Sequence, residues 1–308
     1  MRSLSDFLLE NPWETPSWPR VRGLSLSAKA YQVASTFVQS QKSQLVVVSS
    51  PRDFEVWKDD LESLLPGQVF AFPGLGMKVL EDLEPNLSNS ADRIQFRRAL
   101  RAKQPSVFLI KAESLLEKWV DWENYRAKSK NIKIQEEIDP EALAQALLTM
   151  GFKEEALVEN PGEFSLRGEI LDVYGLFMEN PMRIEFFGDE VESIRSFDLF
   201  SQRSIDVVQN MSIHPLYEWV MDKPQWEKGF KAMSQEVPEA SFWRDQRLLE
   251  QNFAGILWHL PYFHSMTSSI QQEAKNFTWW VEKKEALAGV LAAKYKSYED
   301  LSKEFFLS

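Results

Sequence analysis

At 308 residues the chain is longer than one ordinary hydrophobic core serves, so two or three domains are expected, and its 44% apolar and 26% charged residues are those of a globular protein. No apolar run reaches the roughly 20 residues that span a bilayer, Met1-Arg2-Ser3-Leu4 opens no signal peptide, and the complete lack of cysteine excludes disulfides, thiolate metal sites and thiol nucleophiles. A net charge of −11 argues against a chain built to grip phosphate backbones, and three histidines are a poor basis for an imidazole metal centre. The expectation is a cytoplasmic protein with no metal, no cofactor and no membrane contact, whose default partner is another protein.

In chain order, the first 127 residues alternate short apolar runs with helical patterns. A helix over Tyr31–Gln39 precedes Leu45-Val46-Val47-Val48, whose branched side chains suit a strand buried on both faces. Helical periodicity over Phe54–Leu65 ends at Pro66-Gly67, and Val69–Phe72 reads as a second strand. Ser90 is a candidate cap for a helix running through Phe96 to Ala102, and Val107–Ile110 is a third strand. Strands alternating with helices predict βαβ units and a parallel sheet.

Near residue 130 the texture changes. Ile132–Ile138 reads as a strand, and Asp139-Pro140-Glu141 supplies an N-cap, a proline at the first helical position and an early acid, with Gly151 as the stop. Short strands of mixed polarity follow from Ala156 to Phe197, as in an antiparallel sheet with one solvated face. From Ile213 the chain is Trp-rich and mostly helical in pattern, with Phe253–Phe263 the exception. A helical pattern from Glu282 to Phe306 meets no stop signal, as expected either of a chain that continues past Ser308 or of a frayed natural terminus. The domains expected are 1–127, completed by about 200–215, then 128–199, then 216–308.

Two stretches carry chemistry. Gly23-Leu24-Ser25-Leu26-Ser27-Ala28-Lys29-Ala30 has the spacing of a phosphate-binding P-loop ahead of a helix, but Ala28 replaces the second glycine and Ala30 the magnesium-binding hydroxyl. Lys29 by itself is a point charge that cannot organise a nucleotide. The run is either a decayed nucleotide site or a chance spacing; neither gives an ATPase. Asp189-Glu190, the adjacent acidic pair that most resembles a metal-binding strand end, follows Gly188 and reads as a solvated turn, and Glu136-Glu137 reads as strand-end charge.

The second stretch is Pro181 to Glu190. Period-two alternation puts Met182, Ile184 and Phe186 on the core face and Arg183, Glu185 and Phe187 on the other; in Gly162–Gly168 it puts Phe164 and Leu166 inward and Glu163, Ser165 and Arg167 outward. An aromatic on a charged face beside an arginine has the composition of a protein-interface hot spot. The same pattern also fits a phenylalanine covered by another domain.

At these residues the sequence resembles a known family. Gly151-Phe152, the run Val158-Glu159-Asn160-Pro161-Gly162-Glu163-Phe164-Ser165-Leu166-Arg167-Gly168-Glu169-Ile170-Leu171-Asp172-Val173, the strand and turn from Arg183 to Arg195, Phe197-Asp198 and Ser201-Gln202-Arg203-Ser204 are similar to the second domain shared by UvrB and the bacterial transcription-repair coupling factors (Mfd). A weaker resemblance extends back over residues 20–125 and forward to about 300, including Gly255–His264. The coupling factors are favoured over UvrB because Ala28 and Ala30 break the P-loop, and because Pro73–Asn89 lacks the tyrosines of UvrB's DNA-wedging hairpin.

What the resemblance implies is a degenerate RecA/P-loop-like α/β domain with an inserted α+β domain and a third, partly helical subdomain. It implies a non-catalytic module that recruits UvrA in transcription-coupled repair, with Arg167, Arg183 and Phe187 at the positions that contact UvrA. RNA polymerase and DNA would be bound by regions of longer family members that nothing here matches. The alternative is an ATP-dependent, damaged-DNA-binding protein of the UvrB type.

Overall fold

The computed structural model of the protein describes residues 23–74, 86–102, 104–236, 256–266, 268–283, 286–294 and 296–297. Chain contacts divide it into two compact units, the second made of residues 82–91 and 119–267 and the first of the remainder.

The first unit begins with α1 (Leu26–Ser40), capped by Ser25, whose Oγ accepts from the Ala28 N–H at 3.3 Å. Then come β1 (Gln44–Val48), α2 (Pro51–Leu64), β2 (Val69–Phe72), α3 (Leu87–Arg101), whose residues 87–91 count with the second unit, and β3 (Val107–Lys111). The three strands are parallel, with Val46 level with Leu109 and Phe70 level with Phe108. Val46, Val48 and Leu109 meet Val33 and Phe37 of α1 and Phe54, Trp57 and Leu61 of α2 on one face. On the other face Phe96 of α3 lies edge-on to Phe108, ring centroids 5.2 Å apart, and 5.0 Å from Phe72. Helices on both faces leave every residue of β1 buried, which is why Leu45–Val48 is apolar without alternation. α3 starts earlier than Ser90: the Asn86 side chain caps it, accepting from the Ser88 and Asn89 N–H groups at 2.8 and 3.2 Å. Ser90 instead lies within the helix and donates to the Leu216 carbonyl at 2.6 Å.

The second unit continues with α4 (Trp122–Ala127), β4 (Lys130–Lys133) and α5 (Pro140–Thr149). Asp139 caps α5, accepting from the Glu141 N–H at 2.9 Å, and Gly151 follows it with φ 92°, as the sequence predicts. The strand expected over Ile132–Ile138 is shorter, because Gln135 takes a left-handed φ of 67° and the chain turns there. Next are β5 (Lys153–Glu154), β6 (Glu163–Arg167), β7 (Ile170–Val173), β8 (Met182–Phe187), β9 (Glu190–Phe197), β10 (Ser204–Val207) and β11 (Asn210–Ile213). They form a six-stranded sheet in the order β10-β9-β8-β7-β6-β5, antiparallel except for the β5–β6 pair, while β11 pairs with β4. α5 packs on β5 and β6 and buries Leu143, Ala144 and Leu147. The inner sheet face contributes Phe164, Leu171, Ile184, Phe186 and Ile194 to the core.

Two further helices, α6 (Lys223–Glu236) and α7 (Ile256–Phe263), pack together through Trp226 stacked on Phe263 at 5.0 Å. α7 falls in the segment Phe253–Phe263 that the sequence pattern reads as non-helical; Pro261 sits inside it and obscures the period. Gly229 makes the pairing of α6 and α7 possible, because a Cβ there would overlap the Phe263 ring.

The chain then returns to the first unit. β12 (Thr278–Val281) runs parallel to β1, Val46 level with Trp280, and completes a four-stranded sheet in the order β12-β1-β3-β2. These residues fall within the stretch 216–308 that the sequence reading sets apart as a third subdomain. Of the helical pattern expected over Glu282–Phe306, residues 286–294 are helical, and residues 298–308 lie outside the described residues, as do 1–22 and 75–85. No helix among the described residues is long and apolar enough to cross a membrane.

Candidate protein-binding site

The outer face of the six-stranded sheet is built by register. Ser165 pairs with Asp172, Asp172 with Arg183, and Arg183 with Arg195, so these four form one row across β6–β9. The next row is Arg167, Ile170, Glu185 and Ser193, and beyond it Phe187 stands opposite Glu190. A bulge between Glu185 and Phe186 closes the hairpin through Gly188 (φ 62°), and Asp189 and Glu190 belong to that hairpin end. The face therefore gathers Arg167, Arg183 and Phe187, the three residues singled out by the sequence.

Their environments differ. Phe187 is 76% exposed, a fully presented apolar ring. The Arg167 side chain is 47% exposed and that of Arg183 only 18%. Between the two arginines lies Asp172, 0% exposed. Arg183 grips it fork to fork, Nε donating to Oδ1 at 2.7 Å and Nη2 to Oδ2 at 2.9 Å, while Arg167 Nη2 donates to Oδ2 at 2.7 Å. Arg183 is further fixed by its Nη2 donating to Gln202 Oε1 at 3.2 Å and by stacking over Phe197, 4.5 Å from the ring centroid. Hydrogen bonding to Asp172, ahead of the opposing effect of burial, holds the Arg183 guanidinium still more firmly protonated than usual. Beside this cluster, Arg195 pairs with Glu185, which also accepts from Ser193 Oγ at 2.7 Å. The loop that carries Gln202 is itself fixed, Asp198 Oδ1 accepting from both N and Oγ of Ser201 at 2.8 Å, and it holds Phe200 98% exposed. These hydrogen bonds hold the Asp198 carboxyl below the usual carboxylate range.

A family model described as the UvrB interaction domain matches residues 131–219, which contain the whole six-stranded sheet. Over 203 residues, 65% of the chain, the sequence is 31% identical to the transcription-repair-coupling factor of Staphylococcus haemolyticus (strain JCSC1435). Over 206 residues it is 30% identical to that of Staphylococcus aureus (strain USA300). The chain spans 17% of the length of each of these relatives.

Within residues 131–219, alternation misjudges one outward residue. Ser165 is on the outer face, as expected, yet it is 1% exposed, with Oγ donating to the Ala156 carbonyl at 3.2 Å. It also passes over Asp172, Gln202 and Phe197. The signal for Asp172 was present: a lone carboxylate inside the apolar run Ile170-Leu171-Asp172-Val173 needs a cation if the strand is buried. Gln202 and Phe197 join the cluster through the β9–β10 turn, whose path local pattern does not give.

The P-loop-like residues lie in the first unit. Gly23 has φ 77°, and the helix α1 starts at Leu26, so Ala28, Lys29 and Ala30 are turns of helix. Ala30 is buried in the core. Lys29 Nζ donates to Glu282 Oε1 at 2.8 Å; the Glu282 side chain is 3% exposed, and its backbone N–H donates to the Val47 carbonyl at 3.0 Å. Among the described residues no group of three or more His, Asp or Glu side chains is placed to hold a metal ion.

Proposed function

We propose that this chain is a non-catalytic protein-binding module that recruits UvrA in transcription-coupled nucleotide excision repair, using the outer face of β6–β9. The observation that carries this reading is the coincidence of the UvrB interaction domain with a face presenting an exposed aromatic beside pre-positioned arginines. Aromatic and arginine side chains dominate protein hot spots because they bring large contact area and directional charge for little ordering cost. The chain's acidic balance points away from nucleic acid as the ligand of this patch. In this reading RNA polymerase and DNA are bound by other regions of the longer family members, not by this face.

The non-catalytic half of the reading is supported by the α1 N-terminus. A nucleotide there needs backbone N–H groups arranged in a loop and a lysine aimed at phosphate; here Ser27–Ala30 are already helical and Lys29 faces a buried carboxylate. The UvrB-type ATP-dependent reading requires both to be undone. ATP with magnesium is expected to leave the melting temperature unchanged, whereas a ligand at 100 times its dissociation constant would add about 2.7 kcal/mol of stability.

The direct test is UvrA binding by the wild type and by Arg167→Ala/Phe187→Ala, which leaves the Asp172–Arg183 fork in place. Hot-spot truncation is expected to cost at least about 2 kcal/mol per residue, roughly thirtyfold in affinity each, with unchanged circular dichroism. A wild type that ignores UvrA, or a double variant that binds equally well, overturns the reading.

A further inference from the structure

We infer that Asp172 is the positioning residue of this face: a fully buried carboxylate that aims the guanidiniums of Arg167 and Arg183 at the partner without touching it. The inference rests on the recruiting role proposed above. Three charge-assisted hydrogen bonds of 2.7–2.9 Å converge on the two oxygens of one side chain that is 0% exposed. Such bonds are short and directional, and a carboxylate accepting a side-on guanidinium fixes the plane of that group as well as its place. Arg183 has Nε and Nη2 committed in this way, and Arg167 only Nη2, so among the described residues Nη1 of Arg183 and Nε and Nη1 of Arg167 keep donors for a partner. Two guanidiniums less one carboxylate leave the cluster one positive charge, while Arg195 is balanced by Glu185. A carboxylate on a protein partner, received in an already oriented fork, matches that arrangement.

The geometry also dictates how the cluster responds to substitution. Removing both arginines leaves a buried carboxylate with no cation, which is more damaging than the loss of two surface charges. Asp172→Asn removes the charge with almost no change in shape, and Asp172→Asn/Arg183→Gln replaces the ionic fork by a neutral hydrogen-bonded pair. The second variant keeps the test alive if the first does not fold.

Two readouts are combined in the purified chain. Hydrogen exchange at the Arg183 Nε–H, followed by NMR, reports positioning with no partner present; UvrA affinity reports its consequence. In Asp172→Asn the exchange is expected to speed up about tenfold while the Arg195 Nε–H, held near Glu185 and Ser193, is unaffected. UvrA affinity is expected to fall about tenfold, and in an Arg167→Lys/Arg183→Lys background the same change should cost less than about threefold, because both guanidiniums held by Asp172 are already lost there. Unchanged exchange at Arg183, an equal affinity loss in both backgrounds, or full UvrA affinity in Asp172→Asn/Arg183→Gln overturns the inference. A wild type that fails to bind UvrA while its Arg183 exchange still depends on Asp172 sinks the recruiting role and supports the positioning.

Discussion

The two larger sheets among the described residues use the same device, a buried carboxylate paired with a cation, to opposite ends. In the four-stranded parallel sheet, Glu282 follows the end of β12 and takes the ammonium of Lys29, and helices cover both faces. In the six-stranded sheet, Asp172 takes two guanidiniums, and the arginines keep some exposure on the face that also presents Phe187. Lysine has a single charged nitrogen, and one carboxylate oxygen occupies it. Arginine has a five-donor fork, so a carboxylate can orient it and still leave donors over. The first arrangement closes a site; the second displays one. Parallel connections carry helices onto both faces of a sheet, whereas hairpins do not, and that decides which sheet had a face to spare.

The strongest challenge to this contrast is Phe108→Ala in the closed sheet. Phe108 is fully buried between Phe70, Phe96 and Phe277, so its truncation should destabilise by about 3–5 kcal/mol in chemical denaturation. A loss below about 1 kcal/mol would mean that this face is not closed. Next, Glu282→Gln should cost about 1–3 kcal/mol, below the about 3–5 kcal/mol of a fully buried broken pair because Lys29 keeps partial solvent contact. No measurable ATP binding should appear in its place. If this variant gains ATP affinity, the site was held shut by Glu282 and not lost through Ala28 and Ala30.

A third, smaller effect depends on pH. His264 is buried, bonded through Nε2 to the Trp219 carbonyl at 2.8 Å and through Nδ1 to the Asn124 and Gln225 amides at 3.2 and 3.1 Å. Carbonyl and amide partners fit the neutral ring with its proton on Nε2. Burial, first among the causes, lowers its pKa from the ordinary 6.5, so the unfolded state binds the proton more readily. The stabilisation is therefore complete above about pH 6.5 and is lost as pH falls through the lowered folded value. Melting temperatures from pH 8 to 5 should show this decline in the wild type and a shallower one in His264→Asn.

The smallest expected effect is the most telling for the open face. Phe187→Ala should shift unfolding free energy by less than about 0.5 kcal/mol, since a ring 76% exposed contributes little to folding. A larger loss in a melt of the isolated chain would show that Phe187 is packed, and would count against a presented hot spot.

Local elements were readable where physical rules act over a few residues. The unbroken apolar Leu45–Val48 gave a strand buried on both faces, Asp139-Pro140 with Gly151 bounded α5, and alternation put Arg183 and Phe187 on one side of β8. It failed where a partner distant in sequence set the outcome. β12 takes its place in the sheet because β1 lies beside it, 234 residues earlier by the pairing of Val46 with Trp280, a partner that the local pattern of Thr278-Trp279-Trp280-Val281 does not name. α7 is helical with Pro261 inside it because Trp226 stacks on Phe263.

The sequence by itself determined the fold class, the outward set of Arg167, Arg183 and Phe187, and the departures at Ala28 and Ala30, because side-chain period and residue chemistry are local properties. Only the tertiary structure decided that Asp172 lies beneath both arginines and that Lys29 meets Glu282. Each depends on a register or a chain return that brings a carboxylate to a cation, and a buried charge finds its partner through space.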